Sequence, residues 1–401
     1  MSPSHRTVAA SPPRVLLVSS TLDDDGGVPV CVGQLAEGLA GIGVPVGITG
    51  QHAGPLGAVI AGAGRRSGVT LDPVSAPWHP QGQWQAARRV RRVVEATAAA
   101  ARAEGRSLVV HLHGVWVAPV LAAAAAAVDA GATLVVSPHG MLRQEALRKS
   151  PWRKRAVWEG WLRRALVAAD TLHVTSPLEG EELAALLPGC RPVLVPLGIV
   201  PPADAPRGRV PGAPRRAGYL GRILPIKNLD ILIQAWKIAR PDGWQLAIDG
   251  PGPAEMTAAL EELAERLGVG ADVAIGGAVP MDRLGEHFAG LDLFVLPSRS
   301  EAFALTVGEA LASGVPAVVT TAAPWGDVER QACGWSVAPT AAGLAAALTQ
   351  ATSLPEAELA AMGRRGRAWV RADYAWSEVA RRHLRELYDI RGEARPASAR
   401  A

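Results

Sequence analysis

With 401 residues, 49% of them hydrophobic and 19% charged, the chain describes a soluble globular protein with a large core, long enough for two domains. A net charge of +4 is too mild for a nucleic-acid partner, and Cys31, Cys190 and Cys333 are too scattered for a disulfide framework or a metal knuckle, which points to a reducing cytoplasm. No stretch reaches the roughly 18 uninterrupted apolar residues of a spanning helix, so any membrane association is expected to be peripheral.

Residues 1–14 are polar and contain proline, without the apolar core of a signal peptide. Val15-Leu16-Leu17-Val18 then reads as a strand, followed by a loop over 23–27 and an apolar-periodic helix over 29–40. The run 44–48 is the next strand. Strands at 108–112 and 133–137 flank an apolar segment, 119–128, that is too short to cross a bilayer and reads as a buried helix. Strands at 171–175 and 193–195 complete a first series. Proline-rich residues 201–214 break the rhythm and read as an interdomain linker. A second series opens at 217–220 and continues at 245–248, 273–275, 291–296 and 317–319, with helices between. The prediction is α/β: two Rossmann-like, doubly wound parallel-sheet domains, over 1–200 and 215–372. A helix over 373–391 is expected to pack back across both, and 392–401 to be disordered. In such folds ligands gather at the carboxyl ends of strands, so the expected site is a cleft between the two domains.

Two short runs in the second series carry the chemistry. Gly221-Arg222-Ile223-Leu224-Pro225-Ile226-Lys227-Asn228 lies between a strand and a helix, and Arg222 and Lys227 can neutralise a diphosphate from there. The ordinary alternative is a solvated Arg and Lys flanking a turn. Ser300-Glu301-Ala302-Phe303-Ala304-Leu305-Thr306-Val307-Gly308-Glu309 follows the buried strand Leu293-Phe294-Val295-Leu296-Pro297. A short helix over 306–313 ends at Gly314 and Pro316, which places Glu301 at the strand's end and Glu309 about one turn inside the helix. The backbone N–H groups between them favour an anion. A carboxylate pair around an anion site suits hydroxyls at both ends with phosphate between, which is a nucleotide sugar.

The G-R-x-x-P-x-K-N run, the E-x7-E pair and the A-S-G-V-P that follows resemble the family 4 retaining glycosyltransferases of GT-B fold, also called group 1. The resemblance extends over almost the whole chain. His111-Leu112-His113-Gly114-Val115-Trp116, Ser137-Pro138-His139-Gly140-Met141-Leu142 and Pro324-Trp325-Gly326-Asp327-Val328-Glu329 with Cys333-Gly334-Trp335 resemble the branch that builds bacterial exopolysaccharide, capsule and O-antigen. The resemblance implies an acceptor-binding first domain and a nucleotide-sugar-binding second one. Arg222 and Lys227 would hold the donor diphosphate, Glu309 the ribose hydroxyls and Glu301 the donor sugar. Backbone amides near Phe303, Ala304 and Leu305 would meet phosphate and sugar. Gly250 and Gly252 would let the backbone approach the nucleotide, with 277–279 (Val279 included) beside the base. Gly26 and Gly27 would form the loop nearest the diphosphate and acceptor, where only glycine allows the approach.

His139 matches the family's active-site histidine, which approaches the transferred sugar; a satisfied structural histidine is the ordinary alternative. His139, Arg222, Lys227 and Glu301 form the candidate catalytic set. His113 and Asp25 are candidates for the acceptor, while His173 reads as core. Two positions depart from the family pattern: Ala304 stands where glycine is usual, and Leu197 where asparagine is usual. Asp23-Asp24-Asp25 has the spacing of a metal-binding D-x-D, but Arg222 and Lys227 already supply the cationic function. The expectation is therefore no metal and no cofactor. Residues 143–164 carry Arg143, Arg148, Lys149, Arg153, Lys154, Arg155, Arg163 and Arg164 among Trp152, Trp158 and Trp161. This suits either an anionic membrane surface or a surface helix whose tryptophans face the core.

The expected reaction is transfer of a hexose-type sugar, with retention, from a nucleoside diphosphate to a hydroxyl of a growing, lipid-linked glycan. It would occur in the cytoplasm or on the inner face of the plasma membrane. No residue stands out as a covalent nucleophile. Rival readings are an epimerase or phosphorylase on the same fold, and a two-domain sugar-binding protein without turnover.

Overall fold

The structure is a computed structural model that describes residues 11–23, 27–148, 150–204 and 213–389, without the side chains of Gln144 and Glu145. The expectations on Asp24, Asp25, Gly26, Lys149, residues 205–212 and the tail therefore lie outside the described residues. Contacts divide the chain into two units: residues up to Gly198 together with those from Trp376 onward, and Ile199–Ala375.

The first unit holds strands β1 (Arg14–Ser19), β2 (Val46–His52), β3 (Val69–Ser75), β4 (Leu108–His113), β5 (Thr133–Ser137), β6 (Thr171–Val174) and β7 (Val193–Leu194). They form one sheet in the order β3-β2-β1-β4-β5-β6-β7, parallel throughout. Sequence reasoning misses β3 because Pro73 interrupts it. The strand lies at the sheet edge, where a missing N–H is tolerated. Helices cover both faces, so the central strands are buried on both sides and read as apolar runs. Alternate residues feed two separate cores: Leu16, Val18, Val110, Leu112, Leu134 and Val136 on one face, Val15, Leu17, Val109 and Val135 on the other. The C-terminal segment returns to this second face. Helix Trp376–Arg382 and the turn His383–Tyr388 bury Val379, Ala380, Leu387 and Tyr388 there, and Trp376 Nε1 donates to Gln34 Oε1 at 3.0 Å.

The second unit repeats the plan with β8 (Arg215–Leu220), β9 (Trp244–Asp249), β10 (Val273–Ile275), β11 (Leu293–Leu296), β12 (Ala317–Thr320) and β13 (Gly334–Val337), ordered β10-β9-β8-β11-β12-β13 and parallel. β13 is the other strand that sequence reasoning misses. It begins at Gly334, where a Cβ would stand 2.1 Å from the Ala317 carbonyl oxygen, so only glycine lets it lie against β12. Both sheets reverse their strand order at one point, between β1 and β4 and between β8 and β11. In an open parallel sheet that reversal opens a crevice at the carboxyl ends of the two strands.

Candidate functional site

In the second unit the two predicted motifs occupy that crevice. The loop after β8 carries Gly221 to Asn228, and the loop after β11 carries Ser298 to Ala304. Asn228 joins them: fully buried and at φ 61°, it sends Nδ2 to the Pro297 carbonyl at 3.1 Å and to the Pro339 carbonyl at 3.3 Å, while its Oδ1 accepts from Arg299 Nε at 2.7 Å. A residue tolerant of the left-handed region and carrying both donor and acceptor fits there. With the loops joined, Lys227 Nζ reaches Glu301 Oε1 at 2.6 Å, and Ser298 Oγ donates to the same oxygen. Lys227 is thus engaged with Glu301 rather than free. The Arg222 side chain is exposed and has no partner among the described residues, while its carbonyl is held by the Tyr219 hydroxyl at 3.0 Å.

Helix Leu305–Ala312 starts just beyond Glu301; Val307 N turns back to the Ala304 carbonyl at 3.1 Å, and the amides of Leu305 and Thr306 have no acceptor within the helix. Ala304 caps it at φ 65° and ψ 68°, a left-handed conformation that accounts physically for glycine being usual there. The turn is pinned from below. Buried Trp325 donates Nε1–H to the Phe303 carbonyl at 2.6 Å and stacks on Tyr374 at 4.9 Å, which gives the tryptophan of the Pro324–Glu329 run a structural task. Glu309 has no hydrogen bond or ion pair among the described residues, and burial raises its carboxyl to about 7.

The glycines divide into two kinds. A Cβ on Gly250 would stand 1.9 Å from the Gly221 carbonyl oxygen, and one on Gly252 would stand 2.5 Å from Ile223 Cβ, so both are needed for packing against the Arg222 loop itself. A Cβ on Gly27, at the start of helix Gly27–Gly41, would meet nothing within 4 Å among the described residues. Val279 is half-buried beside Gly277, whose carbonyl accepts from Gly250 N at 2.9 Å.

In the first unit, His111, His113, Ser137 and His173 project from β4, β5 and β6 towards His383 and Tyr388 of the C-terminal segment. A continuous chain of bonds runs from Tyr388 Oη to His111 Nδ1 (2.8 Å), from His111 Nε2 to Ser137 Oγ (2.6 Å), on to His173 Nδ1, and from His173 Nε2 to the Val195 carbonyl (2.8 Å). Burial holds all of these imidazoles below their ordinary pKa. His113 is buried behind half-buried His139, with its Nδ1 2.8 Å from His139 Nε2. His139 sits at φ 52°, and the following Gly140 N donates to Glu179 Oε1 at 2.6 Å. Glu179 is itself buried and accepts from Thr175 N at 2.9 Å and Oγ1 at 3.0 Å. Sequence reasoning passed over Glu179. Ser176, whose Oγ accepts from Glu179 N at 3.2 Å, marks it as the fourth residue of a capping box, but the carboxylate holds the His139 turn instead of the cap.

Ligand atoms of Cys31, His113 and His139 lie within 4.8 Å of one another, a donor set that a soft cation could use. The two imidazole nitrogens that face each other at 2.8 Å are closer than the roughly 3.3 Å between nitrogens on one tetrahedral zinc. Asp23, first of the acidic run, is committed to its own chain: its carboxylate accepts from Ala53 N, from Gly54 N at 3.1 Å and from Trp78 Nε1. In the basic segment Trp152 and Trp161 are 70% and 63% exposed, whereas Trp158 packs on the first unit's core and Lys154 lies over Trp116. The tryptophans therefore divide between the two readings. Among the described residues no helix is long and apolar enough to cross a membrane.

Residues 26–198 match the family model described as "Glycosyl transferase 4-like domain", and residues 203–369 the one described as "Glycosyl transferases group 1". Over 154 residues the chain is 34% identical to D-inositol 3-phosphate glycosyltransferase of Nocardia farcinica, covering 37% of this chain and 32% of that protein. Over 171 residues it is 31% identical to the GDP-mannose-dependent alpha-(1-6)-phosphatidylinositol monomannoside mannosyltransferase of Mycobacterium tuberculosis, covering 40% and 44%. The chain spans less than half the length of the curated relatives it matches. Among solved structures, Anabaena Alr3699/HepE in complex with UDP and glucose is similar in fold, with a TM-score of 0.66 at 17% identity, covering 92% of this chain and 98% of that one.

Proposed function

The chain belongs to the group 1 glycosyltransferases, a family of transferases on the GT-B fold, and from that premise we propose that it moves a hexose-type sugar from a nucleoside diphosphate to a glycan hydroxyl with retention of configuration. The observation that carries this reading is the joined pair of loops in the second unit. They set Lys227 and Glu301 at one point, just ahead of helix Leu305–Ala312, which carries Glu309. Phosphate oxygens suit the helix N-terminus, Arg222 and the remaining donors of Lys227. Glu301 and Glu309 accept from sugar and ribose hydroxyls. In the transfer step the bond from the anomeric carbon to the phosphate oxygen breaks, and its electron pair leaves with the diphosphate. The acceptor oxygen bonds to the same face of that carbon and gives its proton to the departing phosphate. Arg222 and Lys227 stabilise the leaving charge without a metal.

The acceptor in this proposal is a lipid-linked glycan of cell-surface polysaccharide synthesis. Exposed Trp152 and Trp161, with the arginines around them, support peripheral contact with an anionic membrane. The decisive experiment is a thermal-shift screen against UDP-, GDP- and dTDP-sugars, followed by transfer assays on Arg222→Ala with Lys227→Ala. Stabilisation by one donor class and loss of transfer in the double variant are expected. Silence towards every donor would sink the proposal. Turnover of donor without acceptor would favour an epimerase, and transfer at the wild-type rate in the double variant would overturn the phosphate clamp.

A further inference from the structure

We infer that His113 is a positioning residue that sets the tautomer of His139, so that His139 turns an Nδ1–H outward as a hydrogen-bond donor and does not act as a base.

The direction of every bond in the buried seam follows from one fixed end. The Val195 carbonyl can only accept, so His173, which burial keeps neutral, carries its hydrogen on Nε2 and offers Nδ1 as a lone pair. Ser137 must then donate to His173 and accept from His111 Nε2–H, and His111 Nδ1 must accept from Tyr388. Burial in a shared apolar core favours neutral rings, and with every imidazole neutral all four groups are satisfied. The neighbouring pair has no carbonyl to orient it, but it has an orphan. His113 Nε2 is buried with no partner.

If His139 donated from Nε2, His113 would have to keep its hydrogen on that orphaned Nε2, and a buried N–H without an acceptor is the rarer defect in folded proteins. If His113 donates from Nδ1, the orphan is a lone pair instead. Cys31, whose burial raises its thiol to about 12 and so keeps its hydrogen, has its sulfur within 4.8 Å of a nitrogen of each ring. This arrangement leaves His139 Nε2 as an acceptor and places its hydrogen on Nδ1, which has no protein partner among the described residues. The other charged or titratable groups acting on His139 are Glu179, which holds its backbone turn, and His173, with His111 and His383 acting across the seam.

The consequence for catalysis rests on the proposed transferase activity; the tautomer does not. In a transferase, an outward N–H on a neutral ring suits an oxygen of the transferred sugar. The full-length chain with ¹⁵N-labelled histidine should show, in long-range proton–nitrogen correlations assigned with His139→Gln, an Nδ1-protonated His139 that stays neutral from pH 8 down to about 5.5. An Nε2-protonated His139, or one that titrates near 6.5, would overturn the inference. In transfer assays His113→Leu should lower kcat by about 10- to 100-fold with the donor KM nearly unchanged. His113→Asn, which puts an amide N–H where Nδ1 stood, should restore most of kcat and keep the tautomer. Equal activity of all three forms would remove His113 from this role. If His113→Leu does not fold, the spectra of the wild type and His113→Asn decide. The expected tautomer in a protein without transfer activity would count against the transferase reading alone.

Discussion

Lys227 and Glu301 stand 74 residues apart in the chain and meet at 2.6 Å, at the carboxyl ends of β8 and β11. Their side chains are 17% and 9% exposed, so solvent screens the pair only weakly. Removing the cation should leave a buried carboxylate with Ser298 as its remaining partner. Lys227→Met is expected to destabilise the protein by about 2–4 kcal/mol in urea unfolding. Adding Glu301→Gln to it should recover most of that loss. A single-variant loss under about 0.5 kcal/mol would mean that the pair is screened like a surface ion pair.

Glu309 should give nucleotide binding a pH dependence. Burial raises its carboxyl to about 7, so the group is neutral below that pH and ionised above it. Ribose hydroxyls donate better to the ionised form. The responding nucleotide should therefore bind more tightly from pH 6 to pH 8 and release protons when it binds near pH 6.5, as read by calorimetry in buffers of different ionisation enthalpy. Glu309→Gln should lose that component. For stability the sign is the opposite: the folded-state pKa is raised, so this group's contribution declines as pH rises from about 4.5 through 7.

The histidine seam makes the first unit sensitive to acid. His111, His113, His139, His173 and His383 all have depressed pKa values, that of His139 to about 4. Below about pH 6.5 the unfolded chain binds protons that the folded one excludes. Each such histidine then costs about 1.4 kcal/mol per pH unit until its folded-state pKa is reached. The melting temperature should fall steeply between pH 6.5 and 4.5, and His383→Leu should make that slope shallower. A flat melting temperature across the window would contradict neutral burial.

Ala304 holds a left-handed backbone that glycine adopts without steric cost. Ala304→Gly is expected to stabilise the protein by about 0.5–1 kcal/mol, roughly a 2 °C rise in melting temperature. Ala304→Val should lower it. A lower melting temperature for the glycine variant would mean that unfolded-state entropy outweighs relief of the conformation.

Trp152 and Trp161 supply the test of membrane contact. Wild-type protein should sediment with vesicles containing phosphatidylglycerol and much less with phosphatidylcholine alone. Trp152→Ala with Trp161→Ala should release it. Equal sedimentation of the double variant would remove this face from the proposal.

Much of this architecture was legible in the sequence. Strands buried on both sides appear as apolar runs, and eleven of the thirteen among the described residues could be placed from them. The two missed strands lie at sheet edges: β3 is broken by Pro73, and β13 opens on a glycine required by β12. The Gly221–Asn228 run and the Glu301–Glu309 pair were legible as loops at strand ends, because turn residues and helix stops are local signals. Glu179 was hidden, since a capping box looks the same whether its carboxylate serves the cap or a turn 39 residues away.

Period, turn chemistry and motif spacing by themselves determined the two parallel sheets, the order of the elements and the residues brought to the strand ends. Only the tertiary structure decided which of those residues hold each other. Strand order places β8 beside β11 and β4 beside β5, and that adjacency joins Lys227 to Glu301 and His113 to His139. It also decided why particular glycines are glycine: Gly250 and Gly252 answer to the Arg222 loop, and Gly27 to nothing within 4 Å among the described residues. The division has a physical cause. Backbone preference is set by neighbours in sequence, whereas the charge, tautomer and burial of a side chain are set by neighbours in space.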